Sequence, residues 1–188
     1  MTHQSLQLVA WGELAVCWLA WFLSHVLNLR SRPASPRISS AAAGWLGILL
    51  CLAGLACLAV PFRPAGFLSP IVTIIPAMLI APPSVVLVWS ARKHLGTNWR
   101  AGASLDESHI LVKSGPYERM RHPIYASLLG MVIATAFAWS WWPLGTAATI
   151  LTLIGIELRV KAEEHILEKY FQDEFVEYKS ATRAFFPF

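Results

Sequence analysis

Gly115-Pro116-Tyr117-Glu118-Arg119-Met120-Arg121-His122-Pro123-Ile124-Tyr125, running straight into the apolar stretch Ala126 to Trp139, is the part of this chain that decides how it is built. A turn dense in cationic and aromatic groups opens directly onto a segment suited to hydrocarbon. Holding Arg, His and Tyr at that boundary costs free energy, which marks the cluster as a functional site with a ligand to hold. About forty residues later comes a matching segment, Arg159-Val160-Lys161-Ala162-Glu163-Glu164, where another apolar run gives way to charge.

The rest of the composition agrees with a membrane setting. Of 188 residues, 56% are hydrophobic and 14% charged, with a mean hydropathy of +0.53; ordinary globular domains carry about 25% charge. The expected fold is an all-α integral membrane protein with about five transmembrane helices. Nine tryptophans, among them Trp99, Trp139, Trp141 and Trp142 near the ends of apolar runs, suit interfacial anchoring. Basic residues coincide with membrane edges, so no nucleic-acid partner is expected. Cys17, Cys51 and Cys57 all lie inside apolar runs with no metal-spaced His beside them, and are read as buried thiols without a metal.

Five runs approach the roughly 20 residues needed to cross hydrocarbon: Leu6–Leu29, Ala41–Val60, Ser69–Ala91, Pro123–Trp139 and Trp142–Leu158. The first is too long for a signal-peptide core and is expected to stay as a helix. Pro76, Pro82 and Pro83 predict a kink or an uneven end in the third. Runs four and five are separated only by Ser140-Trp141, which demands an antiparallel hairpin. The tail from Ile166 places Leu167, Tyr170, Phe171, Phe175 and Tyr178 among charges at helical spacing, the pattern of a surface helix or a cap over a pocket.

Loop charges orient the chain. Arg30, Arg32 and Arg37 follow the first run; Arg92, Lys93, Arg100, Lys113, Arg119 and Arg121 follow the third; Arg159, Lys161, Lys169, Lys179 and Arg183 follow the fifth. With five spans these regions share one side, and the other side carries only Arg63. The positive-inside rule then makes that side cytoplasmic. The chain is expected to be multi-pass, with its site facing the cytoplasm. Residues 1–91 form a three-helix membrane region and residues 92–188 a C-terminal region with two spans and an amphipathic tail.

Proline favours the first position of a helix, so His122 falls at the N-cap of the fourth run. Free N–H groups and the helix dipole make that end an anion site, to which Arg121 adds charge. The competing reading is that Arg119 and Arg121 simply anchor lipid phosphate. Arg159 and Glu163 share a helical face, and one of Glu163 and Glu164 is placed to accept hydrogen bonds from a ligand amine; a solvated charge run at a helix end is the bland alternative. The stretch from His109 to Gly115 could offer extended backbone to a purine edge, or be an ordinary loop. Glu13, deep in the first run, has no role assigned.

Taken in order, these pieces resemble the isoprenylcysteine carboxyl methyltransferase family and the related membrane phospholipid methyltransferases. The matching residues are Leu95-Gly96-x-Asn98-Trp99, His109-x-Leu111-Val112-x-Ser114-Gly115-Pro116-Tyr117, Arg121-His122-Pro123-x-Tyr125, Arg159-x-x-x-Glu163-Glu164 and a closing Phe171, Tyr178 and Pro187-Phe188. They cover about Ser90 to Phe188. The resemblance implies S-adenosyl-L-methionine as methyl donor, in a cytoplasmic pocket made by the last two helices and their flanks. His109, Leu111 and Val112 would border the adenine. Tyr117, Arg121, His122, Pro123 and Tyr125 would surround the ribose and methionyl part, and Glu163 or Glu164 would take the methionyl amine. Arg92, just before the Leu95-Gly96 loop, is the candidate for the substrate-holding arginine of the eukaryotic enzyme. One departure is Ala126-Ser127, where family members often have glycine.

A carboxylate acceptor is already ionised at neutral pH and needs no general base. Alignment and water exclusion would then carry catalysis, with Arg159 orienting the acceptor. A thiol or amine would need deprotonation, by His122 or Glu163. The implied partners are a lipophilic small-molecule or prenylated acceptor arriving from the bilayer, and membrane lipid; oligomers are compatible with the pattern. Two other classes fit less of it: an NADPH-dependent sterol or steroid-type reductase, and a non-enzymatic transporter or scaffold using Glu13.

Overall fold

A computed structural model describes residues 3–27, 38–39, 42–59, 70–98, 104–105 and 110–185. His109, Trp99, Arg100, Arg30, Arg32, Arg37, Arg63 and Pro187-Phe188 lie outside the described residues. The chain is an all-α membrane protein whose elements are α1 (His3–Val26), α2 (Ala42–Ala59), α3 (Pro70–Leu95), α4 (Pro123–Trp139), α5 (Trp142–Phe171) and α6 (Asp173–Ala181), with 3-10 turns at Gly96–Asn98 and Gly115–Glu118. The described β structure is a two-residue antiparallel pair, Ile38–Ser39 with Ser104–Leu105, and an isolated parallel bridge between Met120 and Arg183. Ser5–Val26, Val72–Leu95 and Trp142–Phe171 are long and apolar enough to cross a bilayer, and the shorter apolar Gly44–Ala59 and Pro123–Trp139 stand among them.

Helix limits follow local chemistry. Pro123 at the first position starts α4, and the extended Ser140 ends it where expected. The prolines of α3 leave it assigned as one helix from Pro70 to Leu95, which puts Arg92, Lys93 and His94 in its last turn, where cations complement the dipole. The larger difference is α5. The apolar run ends near Leu158, yet the helix continues to Phe171, supported by good helix formers and a Glu157–Lys161 pair at 3.3 Å. Glu163 and Glu164 therefore ride on a rigid helix. The helical tail breaks once, at Gln172, whose φ of 49° turns the chain into α6.

Packing places α2 against α5, α3 against α4, and α1 against α3 and α4. Tryptophans of α1 make the polar ties to α4: Trp21 donates to Ser127 Oγ at 3.1 Å and Trp18 to Thr135 Oγ1 at 2.9 Å. The position where family members often have glycine is thus a serine used to hold α1. Helices α2 and α5 touch backbone to backbone. A methyl group on Gly47 would stand 2.6 Å from the Gly155 carbonyl and from Arg159 Cγ. Successive helices run in alternate directions. Ser24, Gly44, Arg92, His122 and Arg159 gather at one end, while Trp11 stacks edge-on with Trp139 at the other.

Candidate active site

The two segments singled out by sequence meet. His122, at the N-cap of α4 and 7% exposed, turns its ring away from the helix backbone and toward α5. Its Nε2 lies 3.2 Å from Glu164 Oε1, and its Nδ1 lies 3.5 Å from Glu163 Oε2. Arg121 donates from Nε to the same Glu164 Oε1 at 2.8 Å, and Lys179 of α6 meets Oε2 at 2.9 Å. Three basic side chains therefore share one buried carboxylate.

The C-terminal segment closes over this cluster. Arg121 N donates to Arg183 O at 2.8 Å and His122 N to Ala184 O at 2.9 Å, a short parallel pairing that satisfies backbone groups just before α4. Arg121 Nη1 donates to the carbonyls of Lys179 and Thr182, which end α6. Phe185 lies against the His122 ring at 6.2 Å between centroids. Lys179 also pairs with Glu168 at 2.6 Å, pinning α6 to α5.

Electrostatics divide the two adjacent glutamates. Burial alone would raise the Glu164 carboxyl, but hydrogen bonds from His122, Lys179 and Arg121 override it and hold the group at about 2. Burial alone would lower His122, but Glu163 and Glu164 bring it above its ordinary value. Bonds to Glu168 and Glu164 raise Lys179. Glu163 is different: its side chain is 29% exposed, and its partners include the His122 edge, the Tyr125 hydroxyl and the nearby Arg159 charge. Of the pair, Glu163 is the carboxylate with room for another donor.

On the bilayer side of the cluster, Arg159 donates from Nε to Tyr125 OH at 2.9 Å, with its guanidinium 5.6 Å from the Tyr125 ring centroid. Its Nη1 reaches the Gly44 carbonyl of α2 at 3.5 Å. This reach needs Gly47, because the arginine stem crosses α2 where a side chain would stand.

The stretch before α4 forms the remaining wall. Asn98 accepts a bond from Ile110 N at 3.1 Å, which joins the Leu95-Gly96-x-Asn98 motif to the segment bearing Leu111 and Val112. Both of those side chains are half-buried. Gly115 has a φ of 63°, and its missing side chain leaves room for the His94 ring. Tyr117, 7% exposed, gives its carbonyl to Tyr178 OH at 2.6 Å. Burial raises the Tyr117 phenol, as does the nearby Glu163.

Arg92 stands elsewhere in this end of the bundle. It is 1% exposed, and it donates to the carbonyls of Ser24 at 3.1 Å and His25 at 3.5 Å, satisfying the end of α1. Its charge is felt by Tyr117. Sequence reasoning did not single out Lys179, Glu168, Gly44 or Gly47 for the site, since no local spacing links them to it. Among the described residues no group of three or more His, Cys, Asp or Glu forms a metal site.

The family model for phospholipid methyltransferases matches residues 71–174, more than half of the chain. The chain belongs to that family. The match runs from α3 into α6, so it includes every side chain of the carboxylate cluster except Lys179 and leaves α1 and α2 outside. The protein-S-isoprenylcysteine O-methyltransferase of Saccharomyces cerevisiae is 28% identical over 94 residues, 44% of this chain and 35% of the yeast protein. The chain thus spans about a third of that relative's length. This is a membrane methyltransferase family, and the reductase and scaffold readings are not favoured.

Proposed function

We propose that this protein is an S-adenosyl-L-methionine-dependent membrane methyltransferase that esterifies the carboxylate of an isoprenylcysteine-type or other lipophilic acceptor. The observation that carries the reading is the convergence of His122, Glu163 and Glu164 at 3.2 and 3.5 Å. The donor set fits the nucleoside. Glu163 offers a partly exposed carboxylate to an ammonium, Tyr117 and Tyr125 offer aromatic surface, and the backbone at Leu111 and Val112 offers polar edges. Pro123 fixes the start of α4, so that His122 and Arg121 hold their places. When bound, S-adenosyl-L-methionine supplies an electrophilic methyl group for in-line displacement.

Each residue's part follows from its place. Glu164, held by Arg121, His122 and Lys179, sets the distance between α4, α5 and α6 and needs no ligand to be satisfied. Glu163 binds and orients. Arg159 holds the acceptor carboxylate beside Tyr125 at the membrane edge, within reach of the Glu163 charge. An ionised carboxylate requires no base, so alignment and exclusion of water by the 182–185 strap do the work. For a thiol or amine acceptor, Glu163 would be the base. Five spans with this end in the cytoplasm complete the picture, residues 1–91 serving as framework and residues 92–188 bearing the chemistry. The role of His109 in bordering the adenine belongs to the same proposal, as does Arg92 as an acceptor-holding group.

Methyl transfer from radiolabelled S-adenosyl-L-methionine in native membranes, followed by base hydrolysis, tests the reading. Volatile labelled methanol is expected from an ester. Base-stable label would mean an N- or S-methyl product, and no transfer at all would remove the proposal.

A further inference from the structure

The first turn of α4 is held from two opposite sides. Tyr125 faces α5, where its hydroxyl accepts from Arg159 Nε at 2.9 Å. Ser127, two residues and about 200° further round the helix, faces α1, where its Oγ accepts from Trp21 Nε1 at 3.1 Å. The same Oγ donates to the Ile124 carbonyl at 2.7 Å, so the indole is tied through one atom to the peptide that joins Ile124 to Tyr125. Ser127 is wholly buried and Trp21 nearly so. Trp21 is itself fixed: its ring lies against those of Trp18, Phe22 and His25 at 5.9, 5.4 and 4.2 Å between centroids. Its carbonyl accepts from Ser24 Oγ at 2.7 Å. The end of α1 is in turn tied to α3, by Arg92 Nε to the Ser24 carbonyl at 3.1 Å and by Trp89 Nε1 to the Ala20 carbonyl at 3.0 Å.

We infer that Trp21 is a positioning residue for methyl transfer: it fixes the rotation of the first turn of α4, and through it the Tyr125–Arg159 pair that meets the acceptor carboxylate. The inference rests on the functional reading above and adds a residue of α1, a helix outside the family match. A helix end with one lateral tie can turn about its axis, whereas ties on opposite faces set its angle. Small rotations matter, because a misplacement of about 1 Å that starts far from the chemistry can cost on the order of a hundredfold in rate. His122 is held separately, by the two glutamates and by the backbone of the strap, so the effect falls on the acceptor and not on the donor. The molecule carries its own comparison. Trp18 Nε1 donates to Thr135 Oγ1 at 2.9 Å, the same kind of bond between the same two helices. It lies about 12 Å further along α4 than Ser127, away from the first turn.

The test measures methyl transfer to N-acetylcysteine carrying a long S-alkyl chain, by the full-length protein in proteoliposomes, together with calorimetric affinity for S-adenosylhomocysteine. Trp21→Phe and Ser127→Ala each remove the bond and keep most of the bulk. Each should raise acceptor KM about threefold to tenfold, the scale of one neutral hydrogen bond, and leave S-adenosylhomocysteine affinity near wild type. The double variant should be no worse than either single one. Trp18→Phe should lower the thermal midpoint as Trp21→Phe does, yet keep acceptor KM near wild type. With Tyr125→Phe already in place, Trp21→Phe should add nothing to acceptor KM. An equal rise from Trp18→Phe and Trp21→Phe, or a further rise in the Tyr125→Phe background, would reduce the bond to ordinary helix packing and overturn the inference alone. Absence of methyl transfer by wild type overturns the functional reading, and this inference with it.

Discussion

Glu163 and Glu164 are neighbours in sequence with different surroundings: Glu164 is shared by Arg121, His122 and Lys179, while Glu163 meets the edge of His122 and the Tyr125 hydroxyl and lies within reach of the Arg159 charge. About 100° of helix rotation separates a carboxylate enclosed by three basic side chains from one that is partly exposed.

Their substitutions should therefore separate cleanly. Glu164→Gln strands three cations around an amide and should lower stability by about 3 kcal/mol or more, the usual cost of breaking a buried pair from one side. Glu163→Gln should leave the thermal midpoint in detergent nearly unchanged while methyl transfer falls at least tenfold. Equal destabilisation by both would mean that Glu163 is structural too.

Stability should depend on pH with two limbs. Glu164 lies below its ordinary 4.5, at about 2, so its contribution is complete above pH 4.5 and drains away as pH falls toward 2. His122 lies above its ordinary 6.5, so its contribution is complete below pH 6.5 and is lost as pH climbs through its raised value. Thermal unfolding should show a plateau between about 4.5 and 6.5 and decline on both sides. His122→Asn should flatten the alkaline limb and make the acid one shallower without abolishing it, since Lys179 and Arg121 still hold Glu164 down.

Arg159 is tied to Tyr125 on one side and to α2 on the other. Tyr125→Phe removes one charge-assisted hydrogen bond, worth roughly 1.5–3 kcal/mol where it is buried. Acceptor KM should rise by about tenfold to a hundredfold, with donor affinity little changed. A loss confined to donor affinity would place Tyr125 on the other substrate.

Gly47→Ala pushes a methyl group into the Gly155 carbonyl and the Arg159 stem. Overpacking of this kind costs about 1–3 kcal/mol, and here it should also release Arg159. Methyl transfer should fall along with the thermal midpoint. A variant of normal stability and activity would show that α2 can withdraw without disturbing the site.

Much of the fold was legible because the strongest signals are local. Pro123 and the Ser140-Trp141 break fix α4 to the residue, and five apolar runs match five packed helices. Hydropathy reports contact with hydrocarbon and not helicity, which is why the continuation of α5 past Leu158 was invisible to it. The meeting of His122 with the two glutamates was legible only as the pairing of two polar segments beside a short hairpin. Which glutamate is the more exposed was not, because that depends on Lys179 and the carbonyls of Thr182 and Arg183 arriving by way of the turn at Gln172. The need for glycine at position 47 was also hidden, since a small residue in an apolar run has no distinctive pattern until a partner helix lies against it. Arg92 reads from sequence as a ligand cation, whereas its neighbours in space include the carbonyls that end α1.

The most direct measurement is calorimetric titration of purified protein with S-adenosylhomocysteine and, separately, NADPH, on wild type and Glu163→Gln. Saturable binding of S-adenosylhomocysteine to wild type is expected, weakened at least tenfold by the substitution, with no binding of NADPH. S-adenosylhomocysteine affinity untouched by the loss of the Glu163 charge, or tight binding of NADPH alone, would contradict it.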